Sequence, residues 1–291
     1  MEATKRAVRA LLSTLPVSQR LRIGRFILND ALGDNDGDAR TNGEDLLARA
    51  LRARWQGRAA VVFDVGANAG DRSLEFARGA SSLFQLFAFE PSRTTFEILR
   101  HAFQSSNSVA RLTPVNTALG EAEGTAELNV IAPAAGVNTL LTPRHNTALR
   151  AEAIETVAIT SGDRFCETHS IDNIDFLKID TEGYDFTVMK GFSRMIGTQA
   201  VHVIQFEYGG SWIDARAYLL DVFEFLSPRG YSIGKLTAGG VRWADGYHRS
   251  LESFQYGNYV ACVAGERSSL DGAIAGARES ASARESYGAR R

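Results

Sequence analysis

The sequence predicts a doubly wound α/β fold, and three observations carry that prediction. Short unbroken apolar runs recur, as strands buried on both faces of a parallel sheet require. Gly- or Pro-marked turns follow them, and segments with helical spacing lie between them. The alternation of strand and helix through short loops is the pattern of an open sheet covered on both faces.

The elements follow in order. AAVVFDV (59–65) is the first strand, Gly-rich GANAG comes next, and a helix begins near Arg72. LFQLFAFE (83–90) is the second strand; Pro91 and Ser92 then open a helix that runs to about Phe103. RLTPVNTAL (111–119) is the third, and EGTAELNV (123–130) reads as a hairpin strand added near the sheet edge. Residues 131–150 carry Pro, Gly and Asn without a period and are expected to form a loop or lid. The rhythm then resumes with the strand IDFLKID (174–180), a short helix over 184–190 and the strand AVHVIQFEY (200–208). An amphipathic helix from Asp214 is stopped by Pro228 and Gly230. YSIGKL (231–236) and GNYVACV (257–263) are expected to pair antiparallel, because no helical pattern separates them.

The two ends differ from this middle. Apolar residues up to about Leu32 recur at helical spacing, residues 33–43 read as a turn-rich linker, and Glu44–Trp55 is helical again. Such helices either pad the sheet or dock a membrane or partner. The last residues are Ala, Ser, Arg and Glu with ARES repeated, a composition that predicts disorder. The expected division is a helical segment and linker over 1–45, a Rossmann-like domain over 46–263 and a disordered tail over 264–291.

Composition narrows the function. Among 291 residues, 32 Lys and Arg against 34 Asp and Glu leave no global positive field, so nucleic acid is not the expected partner. Cys166 and Cys262 are too far apart in sequence for a CxxC zinc site and too few for a disulfide framework. No run of 18 uncharged apolar residues appears, and the N-terminus lacks a signal-peptide pattern, so a cytoplasmic location without a transmembrane segment is expected. The sequence sets no oligomeric state.

Asp64, Gly66, Asn68 and Gly70 stand at the C-terminal end of the first strand, where ligands of open α/β sheets bind. A dinucleotide fold would place a second glycine where Asn68 stands, to admit a pyrophosphate at the helix N-terminus. Asp64 and Asp71 flank the loop instead, and carboxylates repel phosphate. They suit a ligand with an ammonium and a sulfonium, which describes S-adenosylmethionine, with Asp64 taking the amino group directly or through water. Glu90, 20 residues after Gly70, stands where an acid meets a ribose diol in Rossmann-like folds. That device is shared with NAD(P) oxidoreductases, which stay the enzymatic alternative. A non-catalytic nucleoside-binding or docking module is the other. Asn116 and Thr117, after the third strand, are either adenine-side contacts or turn-bracing residues.

VVFDVGANAGDRS, FAFEP, VNTALGEAEGTAEL, DFLKIDTEGYDFTVMKG and VIQFEY, in this order and spacing, resemble the FkbM family of S-adenosylmethionine-dependent methyltransferases over roughly residues 43 to 263. The resemblance implies a seven-stranded, mostly parallel sheet with an antiparallel last strand. It also implies O-methylation of a hydroxyl on a sugar, glycolipid or secondary metabolite. Asp185, where the family often has Glu, and TSGDRF around Asp163 depart from the family pattern.

Asp180 and Glu182 follow the fourth strand of the fold and Glu207 ends the fifth, so all three should share the cofactor's rim. Methyl transfer needs alignment and a group to take the hydroxyl proton. Asp180 or Glu207 is the expected base; otherwise the acids hold a divalent cation that polarises the acceptor, or serve structure alone. His145 and His248 are further candidates for the acceptor pocket, and Tyr208 and Trp212 either stack on a sugar or pack in the core. His202 reads as a core histidine, whereas His101 and His169 read as solvated.

Overall fold

The computed structural model describes residues 2–132, 134–144, 146 and 148–288, with the side chains of 2–4, 7, 11 and 282–288 left aside. Two helices, α1 (Glu2–Ser13) and α2 (Val17–Leu32), precede α3 (Glu44–Trp55). The α/β alternation then runs β1 (Ala60–Val65), α4 (Asp71–Ala77), β2 (Phe84–Phe89), α5 (Arg93–Gln104) and β3 (Arg111–Val115). A short β4 (Ala118–Gly120), β5 (Gly124–Val130) and β6 (Ala153–Ser161) follow, then α6 (Gly162–His169) and β7 (Ile174–Ile179). Next come α7 (Asp185–Lys190), α8 (Ser193–Gly197), β8 (Val201–Tyr208), α9 (Ser211–Ala215) and α10 (Leu219–Leu226). The chain closes with β9 (Tyr231–Thr237), β10 (Gly240–Trp243), β11 (Gly257–Val263) and α11 (Arg267–Gly288).

The main sheet has the order β10-β9-β11-β8-β7-β1-β2-β3. β3, β2, β1, β7 and β8 are parallel, and β11 enters antiparallel between β8 and β9. The expected seven strands with a reversed last one are therefore present. β10 adds an eighth as an antiparallel edge, because residues 238–239 make a tight turn too short to carry the chain elsewhere. Alternation along β1 sends Phe63 and Val65 to the core under α6, α7 and α10, and Ala60 and Val62 to the core under α3, α4 and α5. The sheet reverses its winding between β1 and β7, and that junction opens the crevice where the site lies.

Three sequence readings change. EGTAELNV does not extend the main sheet: β5 pairs with β6, which also takes β4, in a separate three-stranded sheet. The run RLTPVNTAL is cut into β3 and β4 at Asn116 and Thr117, and β6 escaped notice because its exposed alternate residues dilute the apolar signal. Over its described residues the tail is helical rather than loose. Its α11 lays Leu270 and Ile274, both buried, against Leu47 and Leu51 of α3, and Glu266 just before it pairs with Arg54. Two apolar residues four apart make a helix stripe that an average over an Ala/Ser/Arg/Glu tail conceals.

Candidate active site

After β1 the chain must turn into α4 beside the end of β7, and Gly66 makes that approach. It has φ +81°, and a Cβ there would come within 1.8 Å of the Asp180 carbonyl oxygen. Gly70, at φ +93°, lets α4 close onto Leu99 of α5, which a Cβ would meet at 2.6 Å. The Gly66 and Ala67 amides donate to the Phe89 carbonyl at 3.0 Å, which fixes the loop to the end of β2.

That loop orients Glu90. Its Oε2 accepts the Asn68 amide at 3.1 Å and its Oε1 the Ser92 amide at 2.9 Å, with Asn68 held at φ +48°. Burial pushes the Glu90 carboxyl up to about 7, against the two amide bonds that favour its ionised form. Gly66, Asn68, Glu90 and Thr117 line a cleft enclosing about 580 Å³ of space open to solvent. Ala135, Gly136 and Asn138 of the expected lid complete one wall, and Asp180, Thr181, Glu182 and Tyr184 form the other end.

The remaining expected cofactor residues lie behind this surface. Asp64 is fully buried and does not line the cleft, so the reading of it as a direct partner for an amino group is corrected. Strand alternation turns its side chain away from the crevice; Oδ2 accepts from Ser73 Oγ at 2.7 Å, and Oδ1 lies 3.6 Å from Lys178 Nζ. Gly70 serves packing. Asn116 donates to the carbonyls of Glu90 and Pro91 at 2.9 and 3.0 Å, so it braces the β2 turn rather than facing the cleft.

At the other end, Glu182 sits at φ +54°, a left-handed conformation rare for a residue with a side chain, and its carbonyl accepts from Thr139 Oγ1 at 3.0 Å. Asp180, Glu182 and Glu207 each bring a carboxylate oxygen within 4.8 Å of the others. Burial, then repulsion from Asp180 and Asp185, pushes Glu182 up to about 8, and burial with the same neighbours raises Glu207 well above its ordinary value. Such spacing can also be bridged by a divalent cation.

Two residues to which the sequence reading gave no role in the site hold this end together. Asp185, fully buried, accepts from Thr181 Oγ1 at 3.0 Å and from the Gly183 and Glu207 amides at 3.2 Å, which staples the turn after β7 to the end of β8. Burial raises its carboxyl to about 7. Lys178, also buried, donates to Asp180 Oδ2 at 2.8 Å and faces Asp64 on its other side. Burial alone would lower its pKa, and the attraction of Asp180 and Asp64 outweighs that and raises it. A lysine within a largely apolar strand was the available signal.

The other candidates resolve differently. Tyr208 and Trp212 are fully buried and pack edge to face at 5.2 Å, so the sugar-stacking reading gives way to the core. His202 is no core histidine, since its side chain is 39% exposed beside Asp175. His169 stacks on Phe165 at 3.9 Å, and His248 caps the turn at Ser250 away from the cleft. His145 lies outside the described residues.

The sequence profile of the methyltransferase FkbM domain matches residues 64–233, which span every element of this cleft. The chain belongs to the FkbM methyltransferase family. Within such sequences, it is 25% identical over 149 residues to the hexuronic acid methyltransferase AglP of Haloferax volcanii, covering 51% of this chain and 56% of that protein. The FkbM chain described here thus spans just over half the length of that curated relative. Among solved structures, cofactor-bound Rv0187 from MTB matches with TM-score 0.44 and 14% identity over 88% of this chain and 96% of that one. The O-methyltransferase TomG from Streptomyces achromogenes, in complex with SAM, matches with TM-score 0.39 and 11% identity over 75% and 78%.

Proposed function

We propose that this protein is an S-adenosylmethionine-dependent O-methyltransferase acting on a hydroxyl of a sugar, glycolipid or related polyhydroxylated acceptor. One observation carries the reading: Glu90, Asp180 and Glu182 line the cleft, and among the described residues no Lys, Arg or His does. An acidic cleft without a cation repels the pyrophosphate of a dinucleotide and accepts a cationic nucleoside. The residues present fit that group. Glu90 has oxygens fixed by backbone amides at the place where a ribose diol would donate, and the buried Asn68 Oδ1 has no hydrogen-bond partner.

S-adenosylmethionine supplies an electrophilic methyl group on a sulfonium when bound. Everything else falls to the chain. Glu90 and Asn68 would hold the nucleoside, and the Gly66 turn keeps the floor beside them free of side chain. Glu182, facing the cleft with a pKa near 8, takes the acceptor's hydroxyl proton. Asp180, held by Lys178, positions the acceptor oxygen, and with Asp185 it keeps Glu182 basic by repulsion. The hexuronic acid acceptor named for the archaeal relative supports a carbohydrate hydroxyl.

Calorimetry with S-adenosylhomocysteine and with NAD tests the cofactor, and transfer of labelled methyl to a panel of sugars and uronic acids tests the acceptor. Binding of the homocysteine nucleoside alone is expected; NAD binding in its place would overturn the reading. Activity lost to a chelator and restored by Mg2+ would move the three carboxylates from proton transfer to metal binding.

A further inference from the structure

α2 contributes no buried residue. Val17, Leu21 and Leu28 share one stripe of it at helical spacing, Ile27 and Phe26 lie on other faces, and all five are exposed, Phe26 by 70% and Val17 by 62%. The helix is nonetheless held in place. Its C-terminal carbonyls at Ala31 and Leu32 accept from Arg242 of β10 at 3.2 and 2.6 Å, and Gly33 closes it in a left-handed cap. An anchored helix that presents large apolar side chains outward is a surface made for something outside the fold.

Charge selects the occupant. The α1–α2 segment carries Lys5, Arg6, Arg9, Arg20, Arg22 and Arg25 against only Glu2 and Asp30, whereas the whole chain has a net charge of -2. Arg20 and Arg25 flank the apolar stripe, from which their stems can cover the hydrocarbon boundary while the guanidinium groups stay at the surface. A second copy of the chain would bring two such arginine-bordered faces together and repel them. Neither helix can cross a bilayer: among the described residues none is long and apolar enough. A basic, amphipathic, non-spanning pair of helices is the form that lies in the plane of an anionic lipid surface.

We propose that α1 and α2 form an interfacial anchor that holds the enzyme on membranes containing anionic lipid. Acceptors carried on lipid would then be met in the plane of the bilayer, although binding itself does not depend on which hydroxyl is methylated.

The test is co-sedimentation of the full chain with phosphatidylcholine vesicles, with and without phosphatidylglycerol. Binding is expected only with phosphatidylglycerol and should fall with added salt. Near an anionic surface each basic side chain contributes roughly fivefold in partitioning, so the triple variant R20Q/R22Q/R25Q should lose about a hundredfold. L21S/F26S/L28S should also release the protein, with S-adenosylhomocysteine affinity unchanged in both variants because these residues are remote from the cleft. Equal binding to both vesicle types, or no binding to either, overturns the proposal. So does a concentration-dependent dimer that only the serine variant abolishes, since that would assign the apolar stripe to a second copy.

Discussion

The two ends of the cleft use the same residue type in opposite ways. Glu90 is a carboxylate completed by its own backbone: two amides fix both oxygens, so its position follows from the turn that makes them. The carboxylates of Glu182 and Glu207, unlike their carbonyls, accept no hydrogen bond among the described residues and stand against Asp180, with Asp185 and Lys178 underneath. An acid held by amides is a rigid acceptor suited to recognition. An acid crowded by other acids is a base whose proton moves near neutral pH. Under the proposed function, the contrast assigns binding to one end and reaction to the other.

Lys178 is where the ends meet, since it neutralises Asp64 under the glycine loop and Asp180 at the acceptor rim. Lys178→Met should therefore do the greatest damage. Leaving buried Asp64 without its cation should cost about 3–5 kcal/mol of stability. Thermal unfolding would show it, and an unchanged midpoint would mean that the two ends are independent. Glu182→Gln comes next. If it is the reacting acid, kcat falls on the order of a hundredfold while S-adenosylhomocysteine affinity stays within a few-fold. An equal loss in both quantities would erase the division between binding and reacting ends. Glu90→Gln should do the reverse: losing a charged acceptor for the ribose diol is worth about 1.5–3 kcal/mol, roughly tenfold or more in cofactor affinity, with kcat largely kept at saturation. A kcat loss at saturating cofactor would place Glu90 in the reaction rather than in recognition.

The same contrast explains what could be read from the sequence. The binding end is written locally: a strand, a glycine loop and an acid at the end of the next strand specify Gly66, Asn68 and Glu90 through backbone geometry, and their positions follow from spacing. The reacting end is assembled from β7 and β8 and the turn between β7 and α7. Asp180, Glu182 and Glu207 could be placed at one rim from strand order, but Asp185 and Lys178 depend on which neighbours the sheet presses against them. A direct contact from Asp64 to the cleft failed for the same reason. Its place in the motif suggested the cleft, whereas the alternation of β1 turned it toward Ser73 and Lys178. The helical stripe of Leu270 and Ile274 was likewise invisible until α3 supplied the surface it covers.

The smallest expected effect separates the two ends by pH. With Glu182 near 8, the ionised base becomes more abundant as pH rises, so kcat should climb about tenfold between roughly pH 7 and 9 and then level. Stability of the ligand-free protein should move the opposite way. Glu90, Glu182 and Asp185 all have carboxyls raised in the fold, to about 7, 8 and 7, above ordinary values of 4.5, 4.5 and 3.8. The folded state therefore binds these protons more tightly than the unfolded chain. That contribution is complete below the ordinary values and is lost as pH rises through about 7 to 8. Differential scanning calorimetry across this range should show a falling midpoint while turnover increases, and Glu182→Gln should flatten the rate profile and lessen the stability slope, of which the Glu90 and Asp185 parts remain. If the variant flattens the rate profile but leaves the stability slope untouched, the slope belongs to Glu90 and Asp185. If the rate still climbs in Glu182→Gln, Glu207 is the group that takes the proton, and the reacting end has a different centre.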